Sequence, residues 1–244
     1  TNMASTYSND LKLELVATGE KAGLWGSITN TNLQILQQAA SGFLSLAMTG
    51  NADITVPLTD GAVSNGKNLY FKLTGTLARN QTLIMPAGSE RVFIIEDATD
   101  RTTANKFTLS VKTASGTAIP VPIKAIMLLK SDGTNTTKAI TQKGYFTILS
   151  SAISTYIAVA GDQLLINTSA TTVNVTLPTG PAIGDEVVII DARGTFGSNN
   201  VTVERNGQPI NSGTNNLALS TNGQAVTLVY IDGTRGWSFK TNTA

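Results

Sequence analysis

Two spacings of hydrophobic positions divide the chain. Near the start, Leu33, Leu36, Ala40, Phe43 and Ala47 recur at three- and four-residue intervals. That spacing gathers one apolar stripe along a helix. Thr29 or Thr31 can cap it, because a short hydroxyl accepts a bond from a free N–H of the first turn. Gly42 weakens its end. The stripe suits either a helix packed on its own sheet or a short coiled seam. From residue 49 the period changes to two. Ile54–Val56, Leu69–Leu73, Leu83–Met85, Arg91–Ile95, Phe107–Lys112 and Ala125–Leu129 are predicted strands. In Phe107-Thr108-Leu109-Ser110-Val111-Lys112 apolar and polar side chains alternate, one face in and one face out. Asn65-Gly66, Ala87-Gly88, Ser115-Gly116 and Asp132-Gly133 punctuate the strands as turns.

The strand pattern then recurs. Leu83-Ile84-Met85-Pro86, Val92-Phe93-Ile94-Ile95-Glu96, Asn105-Lys106-Phe107-Thr108-Leu109 and Ala125-Ile126-Met127-Leu128 lead to Asp132-Gly133-Thr134. Val175-Thr176-Leu177-Pro178, Val187-Val188-Ile189-Ile190-Asp191, Asn199-Asn200-Val201-Thr202-Val203 and Ala225-Val226-Thr227-Leu228 lead to Asp232-Gly233-Thr234. A match of this length in fixed order marks a duplicated structural unit. The expected organisation is a leading segment over 1–48, a β domain over 49–142, a packed linker over 143–160 and a second β domain over 161–244. Six or seven short, evenly spaced strands per unit predict a mostly β protein: two tandem β-sandwich or jelly-roll-like domains after one short helix. Ile94, Ile95, Ile189 and Ile190 are expected in matching central strands buried on both faces.

Composition fits this picture. Among 244 residues there are 36 Thr, 20 Asn and 22 Gly, and only 14% are charged, so β-branched and turn-forming residues replace charge. Net charge is +1 with no basic run, which argues against a nucleic-acid partner. No apolar run reaches the length of a membrane span, and no signal peptide is expected.

Candidate chemistry is sparse. The chain has no histidine and no cysteine, which removes the usual neutral-pH base, the thiol nucleophile and the ordinary zinc ligands. Neither a catalytic residue, a metal nor a cofactor is assigned. A glycosidase needs only two carboxylates, and Glu96, Asp97, Asp100, Asp185, Glu186 and Asp191 are the candidates. Glu96 and Asp191 each end an Ile-Ile strand, so a strand-end turn explains both more simply than catalysis. Asp162, Asp185 and Asp191 could meet around calcium, but nothing in their spacing requires it. Gly194-Thr195-Phe196-Gly197 lacks the lysine of a phosphate loop and is expected to be a turn. Tyr230, Arg235 and Trp237 flank the Asp232-Gly233 turn and could stack on a sugar, against the alternative that Trp237 belongs to the core. In the leading segment, Leu24, Trp25, Leu33, Leu36 and Phe43 are candidates for a docking surface, since such residues dominate interface energies.

One stretch carries a resemblance. Asp10-Leu11-Lys12-Leu13-Glu14-Leu15, Gly19-Glu20-Lys21-Ala22-Gly23-Leu24-Trp25-Gly26 and Thr29-Asn30-Thr31-Asn32-Leu33 resemble the opening of tail-fibre and other virion structural proteins of marine tailed phages, cyanophages in particular. The part from Val173 to Trp237 resembles β modules of the same proteins. The resemblance implies a virion component, an oligomeric fibre or appendage attached to the particle by its N-terminal segment; low charge, apolar linker residues and the lack of disulfides make a homotrimer the expected assembly. It leaves head, neck or tail open, and a receptor-binding tip for host-surface glycan is the alternative.

Overall fold

The computed structural model describes residues 4–101, 107–140, 144 and 146–243. Asn105 and Lys106, which contribute to the sequence repeat, lie outside the described residues. So do Lys143 and Tyr145 of the expected linker. Two short strands, β1 (Thr6–Tyr7) and β2 (Glu14–Leu15), pair ahead of the helix α1 (Trp25–Ser41). The first repeat follows: β3 (Phe43–Ala47), β4 (Ile54–Thr55), β5 (Tyr70–Thr76), β6 (Gln81–Met85), β7 (Glu90–Asp100), β8 (Leu109–Thr113), β9 (Ile119–Pro120), β10 (Ile126–Asp132) and β11 (Thr136–Ile140). The second comprises β12 (Thr147–Leu149), β13 (Thr155–Ile157), β14 (Gln163–Ile166), β15 (Val173–Thr176), β16 (Glu186–Asp191), β17 (Val201–Glu204), β18 (Leu217–Leu219), β19 (Ala225–Asp232) and β20 (Gly236–Thr243).

The strands are mostly β as expected, but their pairing is that of a β-solenoid. In the first repeat β3, β5 and β7 run parallel in one sheet, and β4, β6 and β8 run parallel in another. The chain therefore passes from sheet to sheet with each coil. It then turns back: β9 joins β8, β10 joins β7 and β11 joins β10, all antiparallel. The second repeat copies this plan, with β12-β14-β16-β19-β20 in one sheet and β13-β15-β17-β18 in the other. Two β-sandwich domains built of hairpins are thus replaced by two coiled units with antiparallel ends. The alternation of apolar and polar residues is the same in either arrangement, because a strand has period two whichever neighbour it pairs with.

Each unit has its own core. Phe71, Leu73, Leu83, Phe93, Ile95, Leu109, Val111 and Met127 fill the first; Leu164, Ile166, Val187, Ile189, Val201, Leu228 and Trp237 fill the second. The boundaries differ from the expected ones. Residues 43–48 belong to the first unit, since β3 is an edge strand and Met48 is buried in its core. The expected linker supplies β12 and β13, and Leu149, Ile153 and Tyr156 lie in the second core. Ile123, just before β10, also packs into that second core, so the units share apolar contacts.

The helix differs at both ends. It begins at Trp25 with no side-chain cap. Thr31 instead donates its hydroxyl to the carbonyl of Ser27, 2.9 Å away. It stops at Gly42, whose N–H still reaches Gln38 O at 2.7 Å while its ψ of 130° turns the chain into β3. A Cβ there would collide with Gln38 O and the Asn68 side chain, so glycine is required. Phe43 and Ala47 are therefore strand residues rather than the last turn of the helical stripe.

Ile95 and Ile189 do occupy matching central strands and are fully buried. Ile94 and Ile190 are only half-buried on the outer faces, so the strands are covered on one side. Replacing Ile189 with Ala should cost about 2–5 kcal/mol in chemical denaturation. The same change at Ile190 should cost less than about 1 kcal/mol, since little cavity is left on an outer face.

Candidate functional site

The helix α1 holds the most unusual surface. Its packed side is narrow: Ile35 is the only buried residue. Asn32 fixes the helix to β2, accepting from Glu14 N and donating to Glu14 O, each at 3.0 Å. Gln38 Oε1 accepts from Ser64 N at 3.3 Å. Leu24, Trp25, Leu33, Leu36 and Phe43 are 51%, 56%, 57%, 44% and 59% exposed. All five docking candidates are thus exposed: Trp25, Leu33 and Leu36 on α1, Leu24 just ahead of it and Phe43 in β3. Phe43 stacks on Tyr70 with ring centroids 5.0 Å apart.

The C-terminal aromatics are placed differently. Trp237 is fully buried, and Tyr230 is nearly so. Their rings meet edge to face at 5.5 Å, and the Tyr230 hydroxyl donates to Gln208 Oε1 at 2.9 Å. Neither ring offers a free face for a sugar. Arg235 alone of the three is exposed, and its Nε donates to Ser238 Oγ. Trp237 therefore belongs to the core, the alternative weighed in the sequence.

The carboxylates are dispersed and engaged in holding the backbone. Asp97 is buried. It accepts from Thr99 N at 3.0 Å, Thr99 Oγ1 at 2.6 Å, Lys124 N at 2.8 Å and Arg101 Nη2 at 2.5 Å. Asp191 accepts from Arg193 N, Phe196 N and Gly223 N at 3.0–3.1 Å. Burial alone would raise the Asp191 carboxyl, but these N–H groups outweigh it and hold it below the usual value. They also fix the Gly194–Gly197 turn. The true counterpart of Asp191 is Asp97, and Glu96 is one residue out of step. Asp97 N donates to Ala125 O and Asp191 N to Gln224 O, both at 2.9 Å. Glu96 lies on the outer face, 3.0 Å from Lys72 Nζ and 2.8 Å from the Tyr70 hydroxyl. Asp185 accepts from Ala182 N, and Glu186 pairs with Lys240. Asp100 ends β7, half-buried. Asp162, Asp185 and Asp191 each serve different partners. Among the described residues no group of three or more acidic side chains is placed to hold a metal ion.

One cluster was not anticipated. At the junction of the units Asp162 is fully buried, accepting from Ile123 N at 2.7 Å, Val159 N at 3.0 Å and the Tyr156 hydroxyl at 3.1 Å. Burial raises its pKa. Arg101 is buried beside it; burial opposes its charge, but Asp97 above all outweighs this and keeps its pKa raised. The parity of β7 carried a signal: Arg91, Asp97 and Arg101 alternate on the same face as Phe93 and Ile95, which must point inward. Two further cations, Lys67 buried and Arg91 half-buried, hold backbone carbonyls near the helix. Lys67 Nζ donates to Thr59 O and Ala62 O. Arg91 donates to the carbonyls of Gly66, Lys67 and Asn68, and burial lowers its pKa to about 10.

No family model and no curated protein matches the chain. A solved structure described as a chaperone-substrate complex aligns with 84% of the chain at 13% identity and a TM-score of 0.34. The alignment spans 34% of that structure's own chain and, at that score, carries no argument. Among the described residues no helix is long and apolar enough to cross a membrane. Fold and site together define a duplicated β-solenoid with a helix-borne apolar surface at its N-terminal end.

Asp191→Asn should lower stability at pH 7 by about 1–3 kcal/mol, the cost of weakening bonds to buried N–H groups. A carboxyl whose folded pKa is depressed stabilises above its unfolded value, about 3.9, and loses this as pH falls through the folded value. The gap between wild type and variant should therefore narrow below about pH 4 in urea titrations. A gap independent of pH would refute the assignment. Trp237→Ala should cost about 3–5 kcal/mol, as befits a core ring.

Proposed function

We propose that this protein is a non-enzymatic structural component of a phage virion, a homotrimeric tail-fibre or appendage part. Its N-terminal segment docks to the particle, and its two solenoid units are displayed outward. The observation that carries this reading is the uncovered apolar flank of α1. A helix of 17 residues with one buried side chain gains little from its own body, and helical stability in proteins comes mainly from packing an apolar face. Such a surface calls for a partner. Support also comes from the resemblance at residues 10–33, which includes Trp25 within Gly-Leu-Trp-Gly at the start of α1. The acids considered for catalysis are mostly engaged: Asp97, Asp185 and Asp191 hold backbone N–H groups, and Glu96 and Glu186 sit in ion pairs. This favours a scaffold over a depolymerase. The burial of Trp237 removes the ring that favoured a glycan-binding tip.

Trp25→Ala in the full chain should enter particles at less than about one tenth of the wild-type level, the effect of losing an interface anchor worth about 2 kcal/mol or more. Quantitative mass spectrometry of purified virions reads this directly. Its melting temperature should stay at the wild-type value, because the ring is mostly exposed. Wild-type incorporation would reject docking through this end.

A further inference from the structure

We propose that a furrow between the two solenoid units binds an extended peptide segment of another protein, one that carries a carboxylate. None of its lining residues belongs to α1 or to the group Tyr230, Arg235 and Trp237, so this site goes beyond the docking reading above. Two depressions, of about 530 and about 150 Å³, make up the furrow. They adjoin at consecutive residues: Ile119-Pro120 on the wall of the first unit and Thr179-Gly180 on the wall of the second. Clefts between packed units are a favoured place for ligands.

One side chain in the larger depression points to a ligand. Thr136 of β11 lines it and is only 5% exposed. Its Oγ1 has no hydrogen-bond partner among the described residues. A buried hydroxyl without a partner costs stability, and the isosteric valine would remove that cost, so its presence calls for a reason outside the resting fold. Lys138 lies two residues on, hence on the same side of the strand. It lines the same depression, half-buried, and among the described residues it has no ion pair or hydrogen bond. Asp185, on the opposite wall, accepts instead from Ala182 N at 2.8 Å. An unpaired hydroxyl and an unpaired ammonium on one strand face are complementary to a carboxylate.

The rest of the lining decides the class of ligand. Ile183, 81% exposed, stands with Ile119 along the larger depression, and Ile157 stands with Pro120 and Pro178 along the smaller. Among the described residues no aromatic ring lines either one. A saccharide is gripped best by stacking on such a ring, whereas aliphatic walls suit the side chains of a peptide. Thr108, Ser110, Thr117 and Thr137 add hydroxyls that can donate to or accept from a peptide main chain. The furrow thus offers apolar walls for side chains, hydroxyls for the backbone and one free cation for the acid.

A library of random peptides, displayed on ribosomes and selected against the purified full chain, should yield sequences that join a carboxylate to aliphatic residues. Fluorescence anisotropy of the most enriched peptide, made synthetically, gives its Kd. Lys138→Met should raise that Kd about tenfold or more, the ratio for losing a bond to a charged group. Thr136→Val should raise it about fivefold while the melting temperature stays the same or rises, because the hydroxyl has no partner in the free protein. A purely structural Thr136 would leave binding alone. Ile183→Ser should weaken binding several-fold through lost apolar contact. Trp25→Ala should bind as wild type does, which separates this site from docking through α1. Weakened binding on amidating the peptide's C-terminus, or on replacing its acidic side chain with the amide, supports the site and names the source of the carboxylate; no change on either overturns it. A selection that enriches nothing overturns the proposal, as does a Kd that ignores both Lys138→Met and Thr136→Val. Binding of a galacturonic-acid hexasaccharide with the same sensitivity to these variants would give the furrow to a saccharide and overturn the peptide.

Discussion

Closure of each coiled unit depends on one buried carboxylate. Parallel coils can stack indefinitely, since the last strand always leaves an open edge. Here the central strand carries Asp97, three residues before its end, or Asp191, at its end, and that side chain anchors the return of the chain. Its Oδ1 accepts from the N–H two residues on, Thr99 still within β7 or Arg193 just beyond β16. Its Oδ2 accepts from the N–H just ahead of the returning strand, Lys124 or Gly223. Both donors have positive φ, 58° and 78°, which aims their N–H groups inward. Lysine at such a φ is uncommon, and the charge-assisted bond to Asp97 helps hold it there. The returning strand then lies antiparallel beside β7 or β16 and covers the edge.

The same carboxylate does different work in the two units. Asp191 faces only backbone donors and closes a turn. Asp97 also meets Arg101, and that guanidinium lies next to Asp162 and Tyr156 of the second unit. Buried ion pairs contribute little net stability, because desolvation offsets attraction. Their geometry is demanding, however, and a buried charge left without its partner is costly. Arg101 ties Asp97 to the junction, and Asp162 ties the junction to Ile123. The first unit's closing staple and the contact between units are therefore one network, which favours a fixed arrangement over a free tether.

Much of this was legible from local pattern. The duplication, the strand positions, the helix and the turn at Gly194–Gly197 follow from period and turn chemistry alone. Sheet arrangement did not, for a physical reason: Phe71 pairs with Ile95 a whole coil later, and nothing in either strand names its partner. A hairpin announces itself by a tight turn; a parallel coil does not. Matching Glu96 to Asp191 relied on the shared Ile-Ile, but inward parity, which puts Asp97 beside Ile95, is the stronger constraint. Of the candidate site, Leu24, Trp25, Leu33, Leu36 and Phe43 are all exposed. Trp237 shows the opposite case: its neighbours Arg235 and Asp232 are exposed turn residues, while its own side chain swings into the core against Tyr230.

The uncovered flank and the covered edge are linked. Antiparallel return strands protect one side of each five-stranded sheet, but among the described residues β3 and β12 on the other side have no strand beyond them. Natural sheets commonly guard such edges with lysines, prolines or bulges. Here β3 reads Phe-Leu-Ser-Leu-Ala and β12 Thr-Ile-Leu, with no charge and no proline. An edge of that composition, flanked by Phe43 or Phe146, is a liability in a monomer and an asset in an assembly. The helix sits directly ahead of β3, so whatever covers its apolar flank also approaches the first of these edges. The chain thus guards by its own fold the edges that would otherwise extend each solenoid, and leaves bare, in both units, the edges that lie beside exposed aromatics.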